Sequence, residues 1–146
     1  MDFASVRIIT DELDRLVTFY EQVTGVTAER PAPVFAEFVL PSCTLAIGDS
    51  KTVWLFGADS ARASDNHTVI IEFRVADVDA EYTRLTAVVD EWVQAPTTMP
   101  WGNRSILFRD PDGNLVNLFA PVTDEGIQRF SGRPTSQDND LSTGGL

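Results

Sequence analysis

Four side chains in this sequence combine binding or acid–base chemistry with a placement that could use it: Arg7, Glu72, Arg74 and Asn117. Ser5 and Arg7 alternate with Val6 and Ile8, and Ile70, Glu72 and Arg74 alternate with Ile71, Phe73 and Val75. On a strand such alternation puts the polar members on one face and the apolar members on the other. Asn117 is the one polar residue in the run Leu115-Val116-Asn117-Leu118-Phe119. A carboxylate at Glu72 could serve as a general base if apolar surroundings raised its pKa, whereas arginines on the same face would shift it the other way. No second residue stands at a spacing that completes an acid–base pair. Neither a Ser-His-Asp set nor a glycine-rich phosphate loop is present. Catalysis therefore has only Glu72 as a weak candidate, and the four residues are read as ligand contacts or, equally, as an ion-pair network inside the protein.

Metal and redox chemistry have few donors to draw on. The single cysteine, Cys43, allows no internal disulfide and makes a cysteine-based metal cluster implausible, and the single histidine, His67, reads as a loop or strand-edge residue. Aromatic side chains offer more: Trp54, Trp92, Trp101, Phe35, Phe38 and Phe56 fall on or beside predicted strands, and their faces bind planar heterocycles and cations. Strand parity alone leaves Trp92 and Phe38 equally readable as core. The formal charge of −11 removes nucleic acid as a partner and permits a cationic ligand, though it also serves solubility alone. No apolar run approaches the roughly 18–20 residues of a spanning helix, and Met1 to Ser5 lack signal-peptide character, so a cytoplasmic protein that does not enter membranes is expected.

The elements that must position these residues repeat. A strand over 3–9 leads through Thr10-Asp11-Glu12 into a helix whose apolar stripe is Leu13, Leu16, Val17 and Tyr20, ending near Gly25. Three strands are predicted to follow, at Val34 to Leu40, Cys43 to Ile47 and Val53 to Phe56. After a small-residue link from Gly57 to Asn66 the order recurs: a strand over Val69 to Val75, a helix over Asp77 to Val89, then strands at Trp92 to Gln94, Ser105 to Arg109 and Leu115 to Phe119. Aligning the two helix starts gives an offset of about 65 residues, which suggests a duplicated unit. Asp110-Pro111-Asp112-Gly113-Asn114 supplies the last hairpin turn, its proline presetting φ and its glycine accepting φ > 0. Beyond Pro121 a short helix is predicted over Val122 to Phe130, followed by a polar tail over 131–146. With 146 residues and 43% hydrophobic content, the chain reads as one domain over 1–121, built from modules at about 3–57 and 67–121, plus an extension over 122–146.

Two βαβββ units, the helix-start phrase Val75-Ala76-Asp77-Val78-Asp79-Ala80 and the hairpin Phe108 to Phe119 together resemble the vicinal oxygen chelate superfamily, the group of glyoxalases, bleomycin-resistance proteins and extradiol dioxygenases. Pro100-Trp101-Gly102 resembles the loop that contacts drug in bleomycin-resistance relatives. The resemblance covers roughly residues 3–121. It implies an α+β fold in which two tandem βαβββ modules form a cup-shaped mixed sheet, helices outside and ligand within. Enzymes of the superfamily hold a divalent metal with His, Gln or Glu from four strands. The matching positions here are Ser5, Ala46, Ile70 and Asn117, which do not replace those donors. The expectation is thus a protein with no metal and no cofactor, of the bleomycin-resistance type, that sequesters a planar or cationic small molecule. Its contacts are expected at Ser5, Arg7, Phe38, Trp54, Glu72, Arg74, Trp101 and Asn117, and a homodimer is expected to build or close the cup. Two alternatives stand beside it: a glyoxalase-, dioxygenase- or isomerase-type enzyme with atypical or absent metal ligands, and an accessory domain whose cup is filled by its own side chains.

Overall fold

The computed structural model describes residues 1–135. In the first module β1 (Ser5–Thr10), α1 (Leu13–Thr24), β2 (Glu29–Ala32), β3 (Phe35–Val39) and β4 (Thr44–Asp49) give a four-stranded sheet, sheet A, in the order β1-β4-β3-β2. In the second, β5 (Ile70–Arg74), α2 (Val78–Leu85), β6 (Glu91–Thr98), β7 (Asn103–Arg109) and β8 (Leu115–Pro121) give sheet B, in the order β5-β8-β7-β6. A 3₁₀ turn over Ser50–Leu55 follows β4, and α3 (Asp124–Phe130) follows β8. Both sheets are mixed, with the first strand of each module parallel to its last. The α+β class and the tandem βαβββ organisation are those expected, and the predicted short last helix is α3.

Two expectations in the first module do not hold. Val53 to Phe56 is no strand: the Asp49 side chain accepts the Lys51 backbone N–H at 2.8 Å and turns the chain into the 3₁₀ segment. The missing strand is β2, whose sequence Glu29-Arg30-Pro31-Ala32 carries no apolar alternation. It lies at a sheet edge, where a proline without an N–H is tolerated. The second helix stops at Leu85 and continues to Val89 as a turn, with the Val88 and Val89 N–H groups both bonded to the Leu85 carbonyl. The 131–146 tail falls outside the described residues from position 136 onward.

The inner face of each sheet is apolar and both inner faces feed one core. Ile8, Ala36, Phe38, Leu45 and Ile47 from sheet A pack with Leu16, Val17, Phe19, Tyr20 and Val23 of α1. The same cluster takes in Ile106, Phe108, Val116 and Leu118 of sheet B with Val78 and Leu85 of α2. Phe19 meets Phe108 edge-on at 6.2 Å, so α1 of one module lies against β7 of the other. Arg84 on α2 adds hydrogen bonds to the last turn of α1, at the Gln22 and Val23 carbonyls.

A buried polar contact crosses the same seam. The Tyr20 hydroxyl, fully buried on α1, donates to Asp110 Oδ2 at 2.7 Å in the β7–β8 turn. Asp110 also accepts the Asp112 and Asn114 N–H groups on Oδ1 and the Asn114 side-chain amide on Oδ2. Gly113 takes φ +85° and closes the turn onto the Asp110 carbonyl. Burial, then the neighbouring Asp110 charge, pushes the Tyr20 hydroxyl well above its usual pKa. A raised pKa means stability is fully present below the unfolded-state value and declines as pH climbs from about 10 toward the folded-state value. Tyr20→Phe leaves a buried carboxylate without one donor, and urea unfolding at neutral pH is expected to show a loss of about 1–3 kcal/mol. The same variant should lose the share of alkaline decline expected from Tyr20 above about pH 10.

Candidate functional site

Sharing of one core by the inner faces leaves each sheet an outer face turned away from it, and Ser5 and Arg7 fall on one of these faces, Glu72, Arg74 and Asn117 on the other. On sheet A the register aligns Arg7, Ala46, Glu37 and Glu29 in one row across β1, β4, β3 and β2. On sheet B it aligns Glu72, Asn117, Leu107 and Gln94 across β5, β8, β7 and β6, with Arg74, Phe119, Ser105 and Thr97 in the next row. Arg7 and Glu72, at corresponding places, are separated by the repeat offset of about 65 residues. As expected from parity, Ser5 and Arg7 are exposed while Ile8 is buried, and Glu72 is exposed opposite a half-buried Phe73.

Among the described residues no hydrogen bond or ion pair joins the two rows within one chain. The Arg7 guanidinium lies 4.9 Å from the Phe35 ring centroid and 5.6 Å from that of Phe56, all within the first module. Glu72 Oε2 accepts the Asn117 side-chain amide at 2.6 Å. Arg74 donates to the backbone carbonyls of Phe130 (3.3 Å), Arg133 (3.2 Å) and Pro134 (2.8 Å). The salt bridges among the described residues involve none of Arg7, Glu72 and Arg74, so the alternative of an internal ion-pair network among them is not what forms. Phe38 has to be removed from the candidate contacts. It is fully buried on the inner face with its ring 6.3 Å from Tyr20, because its β3 position pairs with the core residue Leu45. Trp54 sits on the 3₁₀ segment, not on a strand, and is exposed, as is Trp101. Trp92 packs edge-on against Tyr82 and Phe108 at the core.

Three polar residues that sequence reasoning passed over share the outer face of sheet B: Gln94, Asn103 and Ser105. Asn103 and Ser105 are both buried. Asn117 Oδ1, Gln94 Oε1 and Asn103 Oδ1 are buried with no hydrogen-bond partner among the described residues. Buried acceptors left bare cost about 1–3 kcal/mol each, so a face carrying three of them suits a partner bearing N–H or O–H donors. Gln94 was hidden by a bulge. Trp92 pairs with Phe108 and Gln94 with Leu107, so one extra residue on β6 puts Gln94 on the face opposite Trp92 despite a spacing of two. Asn103 and Ser105 were legible, since they alternate with Ile106 and Phe108 across the strand.

The fit of a divalent metal can be read from the rows. Across from Asn117 stands Glu72, two residues beyond Ile70 on the same face, and across from Ala46 stands Arg7. One carboxylate and an amide on one sheet, with an alanine and a guanidinium on the other, do not make a divalent-metal set. Among the described residues no group of three or more His, Cys, Asp or Glu side chains could hold a metal ion.

The chain end frames the site. Gly102, at φ +91°, approaches so closely that a Cβ there would lie 2.2 Å from Thr123 Oγ1, and a Cβ on Gly126 would lie 2.7 Å from the Gly102 carbonyl oxygen. Thr123 caps α3 by accepting the Gly126 N–H at 3.1 Å. The helix thus seats directly on the Trp101-Gly102 loop and delivers Phe130 onto Phe119, ring centroids 5.3 Å apart, on the outer face of sheet B. A cleft of about 1080 Å³ runs beside β5. Its walls include Phe3 and Leu45 of the first module and Ile70, Glu72, Phe119 and Phe130 of the second.

A glyoxalase/bleomycin resistance protein/dioxygenase family model matches residues 2–118. The chain belongs to that superfamily. Its fold is that of a glyoxalase/bleomycin resistance protein/dioxygenase from Nocardioides, with 27% identity over 85% of each chain and a TM-score of 0.71. A Burkholderia phytofirmans family enzyme is 18% identical, covering 84% of this chain and 100% of its own, with a TM-score of 0.74. A lactoylglutathione lyase from Agrobacterium tumefaciens is 23% identical over 82% and 92%, with a TM-score of 0.61. No curated protein matches the chain. Among the described residues no helix is long and apolar enough to cross a membrane.

Gly126→Ala forces a methyl group against the Gly102 backbone carbonyl and is expected to detach α3 while leaving the core intact. Limited proteolysis should show faster cleavage within residues 122–135, with the thermal midpoint of the rest of the domain little changed.

Proposed function

We propose that this superfamily member is a metal-free cytoplasmic binding protein of the bleomycin-resistance type, which sequesters a planar or cationic small molecule without altering it. The observation that carries this reading is the outer face of sheet B. The exposed Glu72 carboxylate stands beside the apolar surface of Leu107 and Phe119 and beside the buried, unpartnered oxygens of Asn117, Gln94 and Asn103, and among the described residues no metal-ligand set interrupts them. A cation or a ring bearing N–H groups satisfies both parts of such a face. The cleft beside β5 is of a size that holds drug-like ligands. Ser5, Arg7, Trp54 and Trp101 complete the site in this proposal from sheet A, the 3₁₀ segment and the loop.

The protein acts as a homodimer in this reading, because among the described residues no hydrogen bond or ion pair joins the sheet A row to the sheet B row within one chain. The edges support it. β2 carries Pro31 and a register shift, and β6 carries Pro96 and two shifts, both of which blunt an edge against pairing. β1 and β5 have regular register throughout and contain no proline, and Ile70 on β5 is exposed. Pairing of β1 with the β5 of a second copy would seat Arg7 and its aromatic neighbours over Glu72 and Asn117.

Tryptophan fluorescence titrated with DNA-intercalating and glycopeptide antibiotics should show saturable quenching, with each compound recovered unchanged. Stoichiometric metal by elemental analysis, or turnover in glyoxalase, dioxygenase or epimerase assays, would replace the proposal with the enzymatic alternative. For the dimer, light scattering on Ile70→Asp should report a monomer of unchanged circular dichroism where the parent protein reports a dimer. A parent protein that is already monomeric would remove the dimer from the reading.

A further inference from the structure

The second face holds a charge arrangement that the acceptor-rich row does not explain. Acidic side chains outnumber basic ones by twenty-two to eleven, and Arg30, Arg62, Arg84 and Arg104 form salt bridges among the described residues. Yet three guanidinium groups gather at one phenylalanine. Arg74, Arg129 and Arg133 stand 5.7, 5.5 and 4.9 Å from the Phe130 ring centroid. None of the three takes part in a salt bridge among the described residues. A ring has two faces to offer to cations, so a third guanidinium gathered at it adds repulsion that no salt bridge among the described residues offsets. Arg74 spends its N–H groups on three neutral backbone carbonyls, weaker acceptors than a carboxylate or phosphate oxygen would be. Arg129 and Arg133 are exposed, and Arg74 with Arg133 lines the end of the cleft that also holds Glu72 and Phe119.

We propose that Arg74, Arg129 and Arg133 form a receptor for an oxyanion, a carboxylate or phosphate, carried by the ring-bearing ligand whose donor groups meet Glu72 and Asn117. The inference rests on the reading that the sheet B face binds a small molecule, and it narrows the ligand class from a simple cation to a zwitterion. The anionic end faces the guanidinium cluster and the ring lies by Phe130 and Phe119. The N–H end reaches the row of acceptors one strand-residue pair away. The short helix α3 and its seat on Gly102 hold Arg129 and the Phe130 ring in place, which gives this extension a role in recognition.

The probes are benzoate, inorganic phosphate and, as the opposite charge, benzylamine, titrated into the full chain while the arginine Nε–H resonances are followed by NMR. Benzoate is expected to shift the resonances of all three arginines saturably, phosphate to shift them more weakly, and benzylamine to leave them in place. Arg129→Gln/Arg133→Gln, which alters only exposed side chains, should weaken benzoate binding by about tenfold or more, the loss of one or two charge-assisted hydrogen bonds, with an unchanged thermal midpoint. Absence of a benzoate and phosphate response, or an equal response in the double variant, overturns the proposal. The sequence beyond the described residues carries Asp138 and Asp140. A response that emerges only in Asp138→Asn/Asp140→Asn would assign the cluster to the chain's own carboxylates and equally overturn it. A benzoate response alongside a failed antibiotic titration would sink the drug-sequestering reading and leave the oxyanion site standing.

Discussion

The buried carboxylate of Asp110 is the contact on which the two halves of this protein depend. A charge removed from water is tolerated only when its lone pairs are filled, and Asp110 fills them from two sources: its own turn, through Asp112 and Asn114, and α1 of the other module, through Tyr20. Docking of the first module therefore adds one donor, the Tyr20 hydroxyl, to the three that the turn itself supplies to Asp110. Asn114 extends the link by accepting from Asn66, which in turn holds the N–H groups of Thr68 and Val69 just ahead of β5. The strand bearing Glu72 and the strand bearing Asn117 are aligned by this one connected set of polar groups, and their 2.6 Å contact follows from it.

Packing then decides which faces remain for chemistry. Because α1 is wedged against the inner faces of both sheets, apolar side chains are consumed there and the outer faces keep the polar residues. A duplicated module would place equal rows on both outer faces. The rows differ: Arg7 lies between aromatic rings on one, and Glu72 lies beside amides on the other. The extension past Pro121 adds to one face only, since the close approach of Gly102 and Gly126 fixes α3 to the loop of the second module.

Much of this was legible in the chain. Alternation about Arg7 and Glu72 gave their face, the repeat gave the module order, and the Asp-Pro-Asp-Gly-Asn turn gave the final hairpin. What stayed hidden had physical causes. β2 lacks alternation because an edge strand with few core contacts needs none. Val53 to Phe56 carries strand-like residues but lies after an aspartate whose side chain bonds two residues ahead and bends the chain. Gln94 was masked by an extra residue in β6 that breaks the period of two. Phe38 has strand parity that fits either face, and only pairing with Leu45 resolves it. The carbonyl contacts of Arg74 had no sequence signal, since a backbone acceptor has no residue type.

The inversion of charge between Arg7 and Glu72 carries a consequence for how this duplicated scaffold can be reused. Two first modules brought face to face would oppose guanidinium to guanidinium, and two second modules would oppose carboxylate to carboxylate. At these two positions a mixed pair sets opposite signs across the gap. The halves are thus heterotypic, alike in strand order but not interchangeable at this position, and a chain that repeated either half alone would lose the opposite-charge pairing that Arg7 and Glu72 offer.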